Sequence, residues 1–176
     1  YAYCGGYCTF NGLMVVTTAV IAEGRVRGRI GIVDCDHHYG NGTQDIIDHL
    51  HLGQRVRHFS AGRDYTGPEQ GRAFLARLPK IVSEFADCDL LLFQAGADPH
   101  LNDALGGWLS TDQLAARDRI VFETARSLDL PVAWNLAGGY QDPLRRVLDI
   151  HDGTLVECAK AWQFRPTPPA TRIPQC

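Results

Sequence analysis

The chain has 176 residues, of which 45% are hydrophobic and 21% charged; this composition excludes fibrous and disordered proteins and suits one domain of ordinary size. Its net charge of -3, with no basic block, gives no reason to expect direct binding to nucleic acid. The longest apolar runs, such as residues 90–93, are far too short to span a bilayer, so no membrane partner is expected.

The first half of the chain alternates between strand-like and helix-like segments. Strands are predicted over residues 29–34 and 55–60, with a helix over 43–52 between them. A second helix is predicted over 69–86, with a break near Pro79, since proline lacks the amide that an inner helical turn needs. The almost uninterrupted apolar run 89–94 predicts a strand that is covered on both faces.

The second half continues this alternation. Ser110 and Gln113 form a capping box that predicts the start of a long helix. Its buried face is predicted to carry Leu114, Val121, Ala125 and Leu128. A strand over 131–136 follows, and then a helix capped by Asp142 with Pro143 at its first position. One face of that helix is predicted to carry Leu144, Val147, Leu148 and His151. The pattern predicts an α/β fold with an open, mainly parallel sheet and helices on both faces.

The most informative segment is 34–43, which reads Asp-Cys-Asp-His-His-Tyr-Gly-Asn-Gly-Thr directly after the first predicted strand. Ligands gather beyond the carboxyl ends of strands in open α/β sheets. Because side chains alternate along an extended chain, Asp34, Asp36 and His38 are expected to project to one side. Two carboxylates and an imidazole would repel and desolvate one another there unless a cation lay between them.

Two later strand ends carry related side chains. Asp98 follows the strand 89–94, and Tyr140 follows the strand 131–136 after a pair of glycines. One divalent ion held by Asp36, His38 and Asp98 would keep positions open for water and substrate, as in catalytic sites. Taken singly, Asp98 could be a helix cap, Tyr140 a wall residue and His38 a surface histidine. Their convergence on one edge favours the metal site.

Four ordered motifs resemble the histone deacetylase superfamily, which includes bacterial acetylpolyamine amidohydrolases and acetoin-utilisation proteins. They are residues 34–44, 94–100 and 136–140, and the glycine-aromatic-cysteine segment 5–11. The resemblance implies an arginase-like, deacetylase-like α/β domain over residues 1–162, followed by a Pro-rich tail over 163–176. It also implies hydrolysis of N-acetyl groups on acetyl-lysine or acetylpolyamine substrates by a metal-activated water.

The resemblance further implies roles for individual residues. Zinc, or in some members ferrous iron, would be held by Asp36, His38 and Asp98, with Tyr140 donating a hydrogen bond to the oxyanion. Asp34 would orient a catalytic histidine and, with Ser60 and nearby carbonyls, would help to bind a structural potassium ion. Gly6 and Tyr7 would border the channel that receives the acyl-amine chain.

The six cysteines match no compact disulfide framework, so free thiols in a reducing cytoplasm are expected.

The chain departs from the family at the general base, a tandem histidine pair that comes before the glycine-aromatic-cysteine segment. The histidines here are at positions 37, 38, 49, 51, 58, 100 and 151, and His100 is the nearest substitute. Two interpretations remain: a truncated deacetylase, favoured by the non-Met start, or a relative that binds metal and acyl-amines without fast turnover. An arginase-like ureohydrolase with two manganese ions would need more carboxylates. A sheet without its first strands would expose an edge, which makes a homo-oligomer plausible.

Overall fold

The computed structural model describes residues 9–163, which form one open sheet with helices on both sides. The helices are α1 (Gly12–Ala22), α2 (Asn41–His49), α3 (Gly71–Ser83), α4 (Thr111–Ser127) and α5 (Arg145–Gln163). The strands are β1 (Arg29–Asp34), β2 (Val56–Ser60), β3 (Cys88–Gly96) and β4 (Val132–Ala137). Two short 3-10 turns, Ala61–Arg63 and Pro68–Gln70, lie between β2 and α3.

All neighbouring strands are parallel, in the order β2-β1-β3-β4. The register aligns Ser60, Asp34, Gln94 and Asn135 in one row across the sheet. This row lies at or near the carboxyl end of every strand. The side chains that follow β1, β3 and β4 therefore meet at one edge, although up to about a hundred residues separate them in sequence.

Apolar packing covers both faces of the inner strands β1 and β3. On one face, Val33, Leu91 and Phe93 pack in a core with side chains of α3, α4 and α5. On the other face, Ile30, Ile32 and Leu92 pack with Met14 of α1 and Ile47 of α2. Because alternate residues of β1 and β3 point into the two cores, both strands are apolar almost throughout. The predicted fold class, a parallel α/β sheet between two helical layers, is confirmed.

The N-terminal half differs from the sequence prediction in two places. Helix α1 was not predicted, since its sequence is apolar nearly all round and shows no helical periodicity; its N-cap is Asn11, whose side chain accepts a hydrogen bond from the Met14 amide. The predicted break near Pro79 is wrong, because α3 continues through it. Pro79 lies on the exposed face of α3.

The C-terminal helices follow the prediction in part. The capping box of α4 is formed, with Ser110 Oγ accepting from the Gln113 amide and Gln113 Oε1 accepting from the Ser110 amide. The predicted start of α5 is wrong: a turn, in which the Arg146 amide donates to the Pro143 carbonyl, precedes the helix. Of the four residues predicted to share one buried face, Val147 and His151 are buried, whereas Leu144 and Leu148 are exposed. The prediction of this face is therefore half right.

Several predictions concern parts of the chain for which the structure says little. Gly6, Tyr7 and residues 164–176 of the Pro-rich tail lie outside the described residues, so the channel and tail assignments stay predictions. Within residues 9–163, no helix combines the length and apolar character that crossing a bilayer requires. The described cysteines Cys35, Cys88 and Cys158 are free thiols. The cytoplasmic location and the homo-oligomer stay predictions.

Candidate metal centre

Three potential metal ligands meet where β1 and β3 end. Asp36 and His38 lie in the segment that follows β1, and Asp98 lies two residues after the end of β3. One nitrogen and two carboxylate oxygens from these residues lie within 4.8 Å of one another. This is the group that the sequence predicts, and it is assembled because β1 and β3 are hydrogen-bonded neighbours.

Hydrogen bonds fix the shape of this cluster. The Nδ1 atom of His38 lies 2.9 Å from Oδ2 of Asp98, whose Oδ1 accepts from the His37 amide at 3.1 Å. The His38 amide donates to Oδ1 of Asp36 at 2.7 Å. Asp98 is 1% exposed, whereas the His38 side chain is 53% exposed. The cluster therefore has a buried floor at Asp98 and opens to solvent beside His38.

The electrostatics of the cluster favour a bound cation. Burial, followed by repulsion from Asp98, raises the pKa of Asp36 to about 6. Burial and the neighbouring Asp36 raise the pKa of Asp34 well above its usual range. A divalent ion between these carboxylates would remove the repulsion, and a mixed set of carboxylate and imidazole ligands fits zinc. The residues present therefore fit the metal that the family resemblance implies.

Two glycines allow the backbone to close around the acidic side chains. Gly138 has a φ of +55°, and a Cβ atom there would overlap the carboxyl group of Asp98. A Cβ atom on Gly96 would overlap the Cβ of Asp36. At these two positions a side chain would displace a candidate ligand, which explains why glycine follows β4 and ends β3.

Tyr140 lies just beyond β4, at the same edge of the sheet, and is 38% exposed. Its amide donates to Oδ2 of Asp103 at 2.7 Å, and the other oxygen of Asp103 accepts from the Leu105 amide at 3.0 Å. Asp103 is buried and thus joins the loop after β3 to the loop after β4. The backbone of Tyr140 is held from the same loop that carries Asp98.

The remaining predicted residues lie beside the cluster. Asp34 and Ser60 are both buried and are register partners in β1 and β2; Ser60 Oγ accepts from the Gly40 amide at 2.9 Å. Their proposed contribution to a potassium site stays a prediction. Both ring nitrogens of His100 are engaged: its Nε2 contacts Thr111 Oγ1 at 2.9 Å and its Nδ1 accepts from the Asn102 amide at 3.1 Å.

Two residues at this edge were missed by sequence reasoning. Gln94 donates from Nε2 to Oδ1 of Asp34 at 3.2 Å and to Oδ2 of Asp36 at 2.9 Å, so it bridges the two carboxylates. Arg117 of α4 reaches the carbonyls of Cys35 and Gly96. The signal was present in both cases: Gln94 is a polar residue in an apolar strand, and Arg117 occupies a buried helical position between Leu114 and Val121.

Comparison with known sequences agrees with this geometry. The family model described as histone deacetylase domain matches residues 2–63 and 58–151, which include every candidate ligand and Tyr140. The chain belongs to the histone deacetylase family. Its four-stranded parallel sheet between helices is thus that of a histone deacetylase domain, as the sequence motifs predict.

Similar proteins come from bacteria and a plant. An uncharacterized protein of Picosynechococcus sp. is 30% identical, over 78% of this chain and 51% of its own length. Histone deacetylase 2 of Arabidopsis thaliana is 26% identical, over 82% of this chain and 42% of its own length. Acetylpolyamine amidohydrolase 2 of Pseudomonas aeruginosa is 50% identical over 26% of this chain and 12% of its own length. The chain thus spans about half the length of the longer matches.

Proposed function

We propose that this chain carries the metal centre of a zinc-dependent amidohydrolase that removes acetyl groups from amines such as acetyl-lysine or acetylpolyamines. The observation that carries the proposal is the cluster of Asp36, His38 and Asp98 at adjoining strand ends, with ligand atoms within 4.8 Å of one another. The substrate class is supported by relatives that are named acetylpolyamine amidohydrolase and histone deacetylase. Ferrous iron is the alternative metal for the same ligands.

The residues around the cluster have distinct tasks in this proposal. Asp36, His38 and Asp98 would hold the zinc ion, which would supply a Lewis acid for the amide carbonyl and for water. The Tyr140 hydroxyl donates a hydrogen bond to the carbonyl oxygen as negative charge grows on it; removal of such a donor costs about 2.7–4 kcal/mol in the barrier. Asp103 holds the backbone of Tyr140, and Gln94 holds Asp36.

A second candidate function, binding of an acyl-amine without fast hydrolysis, is favoured by the positions and hydrogen bonds of the histidines. The ring nitrogens of His100 are both engaged, and in the described part of the chain His38 is the one histidine in the ligand cluster. A positioned base contributes about 10²–10⁴-fold to hydrolysis. A chain that holds zinc and an acyl-amine but lacks this base would bind its ligand and turn it over slowly.

The test measures hydrolysis of an acetyl-lysine reporter by the zinc-loaded 176-residue chain and by Asp98→Asn and Tyr140→Phe variants. Asp98→Asn is expected to lose zinc and activity together. Tyr140→Phe is expected to keep zinc and lose about a hundredfold or more in kcat, as for other oxyanion donors. Asp112→Asn and Tyr39→Phe, which change exposed residues of the same types, serve as matched controls.

The outcomes separate the candidates. Hydrolysis that falls in Asp98→Asn and Tyr140→Phe but not in the controls supports the enzyme. Stoichiometric zinc and hydroxamate binding without hydrolysis supports the binding protein instead. Failure of the wild-type chain to retain zinc or ferrous iron would overturn both.

A further inference from the structure

Arg117 is a charged residue in the interior of the protein. It lies in the middle of α4, on the face that packs on the sheet, and its side chain is 0% exposed. An arginine is almost never fully buried unless it is paired, so its contacts have to be accounted for. They lead to the two strand ends that carry the metal ligands.

One nitrogen of the guanidinium group joins β1 to β3. Nη1 donates to the Cys35 carbonyl at 3.1 Å and to the Gly96 carbonyl at 2.6 Å. Cys35 immediately precedes Asp36, and Gly96 lies two residues before Asp98. Both carbonyls lie beyond the last register pair of β1 and β3, Asp34 with Gln94, and beyond the final backbone hydrogen bond between these strands, from the Cys35 amide to the Gln94 carbonyl at 3.1 Å.

The other side of the guanidinium group is anchored to the helical layer. Nε donates to Oδ1 of Asp118 at 2.7 Å, and Oδ2 of Asp118 accepts from Thr154 Oγ1 of α5 at 2.6 Å. The guanidinium carbon also lies 5.9 Å from the centroid of the Phe93 ring in β3. Helices α4 and α5 therefore hold the arginine in one orientation, on the side opposite to the two carbonyls.

A contribution to stability does not by itself explain why Arg117 and Asp118 form a buried ion pair. Replacement of a buried ion pair by apolar side chains of similar volume is often neutral or stabilising. Here Nη2 is buried and has no hydrogen-bond partner within residues 9–163, which is a further cost. Removal of Arg117 alone would leave Asp118 buried without its charge partner, whereas removal of both would not.

We propose that Arg117 is a positioning residue for the metal centre: it fixes the distance between the segments that carry Asp36 and Asp98. The inference rests on the proposed zinc site. Arg117 acts on the ligand segments through the backbone carbonyls of Cys35 and Gly96. Groups that orient metal ligands typically change metal affinity 10–100-fold when they are altered.

The experiment compares the zinc affinity of the full chain, by chelator competition, in four variants. Arg117→Lys keeps the charge but offers one nitrogen in place of the two, Nη1 and Nε, that bind the carbonyls and Asp118. The double variant Arg117→Met with Asp118→Leu replaces the pair by apolar side chains, and Thr154 keeps the Ile150 carbonyl as acceptor. Arg119→Lys and Arg119→Met, at an exposed position of the same helix, are the controls. Urea unfolding of metal-free protein and the visible spectrum of the cobalt-substituted protein are recorded for each.

We expect zinc affinity at least tenfold weaker and an altered cobalt spectrum in both Arg117 variants, with unchanged affinity in both controls. The double variant is expected to lose affinity while its metal-free stability is retained, which separates positioning from general support of the fold. If it fails to fold, Arg117→Lys decides alone. Wild-type affinity and spectrum in a folded Arg117 variant would overturn the inference and leave the zinc site standing. A wild-type chain that binds no zinc would remove the proposed function itself.

Discussion

His58 makes the stability of the metal-free protein depend on pH. It lies in β2, where its Nδ1 is 3.3 Å from Gln44 Oε1 and its Nε2 is buried without a hydrogen-bond partner among the described residues. Burial, and then the nearby positive charge of Arg63, lower the pKa of His58 to about 4. In the unfolded chain the same imidazole has a pKa of about 6.5.

The direction of this pH dependence follows from the difference in proton binding between the folded and unfolded states. Between about pH 6.5 and pH 4 the unfolded state binds a proton at His58 that the folded state does not, so acid favours unfolding. This group alone is expected to lower the free energy of unfolding by about 2 kcal/mol between pH 7 and pH 5, and by about 3 kcal/mol once the pH is below 4. Above about pH 7 its effect disappears.

The assay is urea unfolding of chelator-treated protein at several pH values, with His58→Gln compared to the wild type. Between pH 7 and pH 5, the free energy of unfolding of the variant is expected to fall by about 2 kcal/mol less than that of the wild type, since glutamine does not titrate. The raised pKa values of Asp34 and Asp36 act in the opposite direction, but they cancel in the comparison. Curves for His58→Gln that parallel those of the wild type would refute the reasoning.

Three further changes test other parts of the site. Gly138→Ala is expected to weaken zinc binding at least tenfold because its Cβ would displace Asp98, whereas Gly153→Ala, with open space around it, is expected to leave zinc affinity unchanged; chelator competition measures both. Asp103→Asn is expected to cost about 1–3 kcal/mol in urea unfolding, since whichever way the amide is turned, one of the two backbone amides it serves loses its acceptor. Ser110→Ala removes the N-cap of α4 and is expected to cost about 1 kcal/mol in the same assay, with no change in zinc affinity.

The strands could be predicted from sequence because their burial requires apolar runs. β1 and β3 lie between two cores, and their boundaries fall within two residues of the prediction. Helix α1 could not be predicted by periodicity, since its exposed face carries Val15 and Val16 where a polar face is expected. The start of α5 was misplaced because Asp142 and Pro143, which are typical of a helix start, form a separate turn here.

Some residues of the candidate site could likewise be predicted from the sequence, and others could not. Asp36, His38 and Asp98 could be grouped from sequence because they directly follow strands, and parallel strands end at a common edge. Gln94 and Arg117 act from within elements, and their contacts depend on strand order and on how α4 crosses the sheet. That information is tertiary, so a local pattern reveals only an unexpected polar residue at a buried position.

The pairing of β1 with β3 brings together pieces of chain that could be made as separate polypeptides. A cut between Thr66 and Gly67, in the loop that joins β2 to α3, would leave Asp36 and His38 on one fragment and Asp98 on the other. Neither fragment alone would hold three ligands for the ion. Recovery of zinc binding on mixing would therefore report reassembly, which makes the centre a built-in sensor for split-protein complementation.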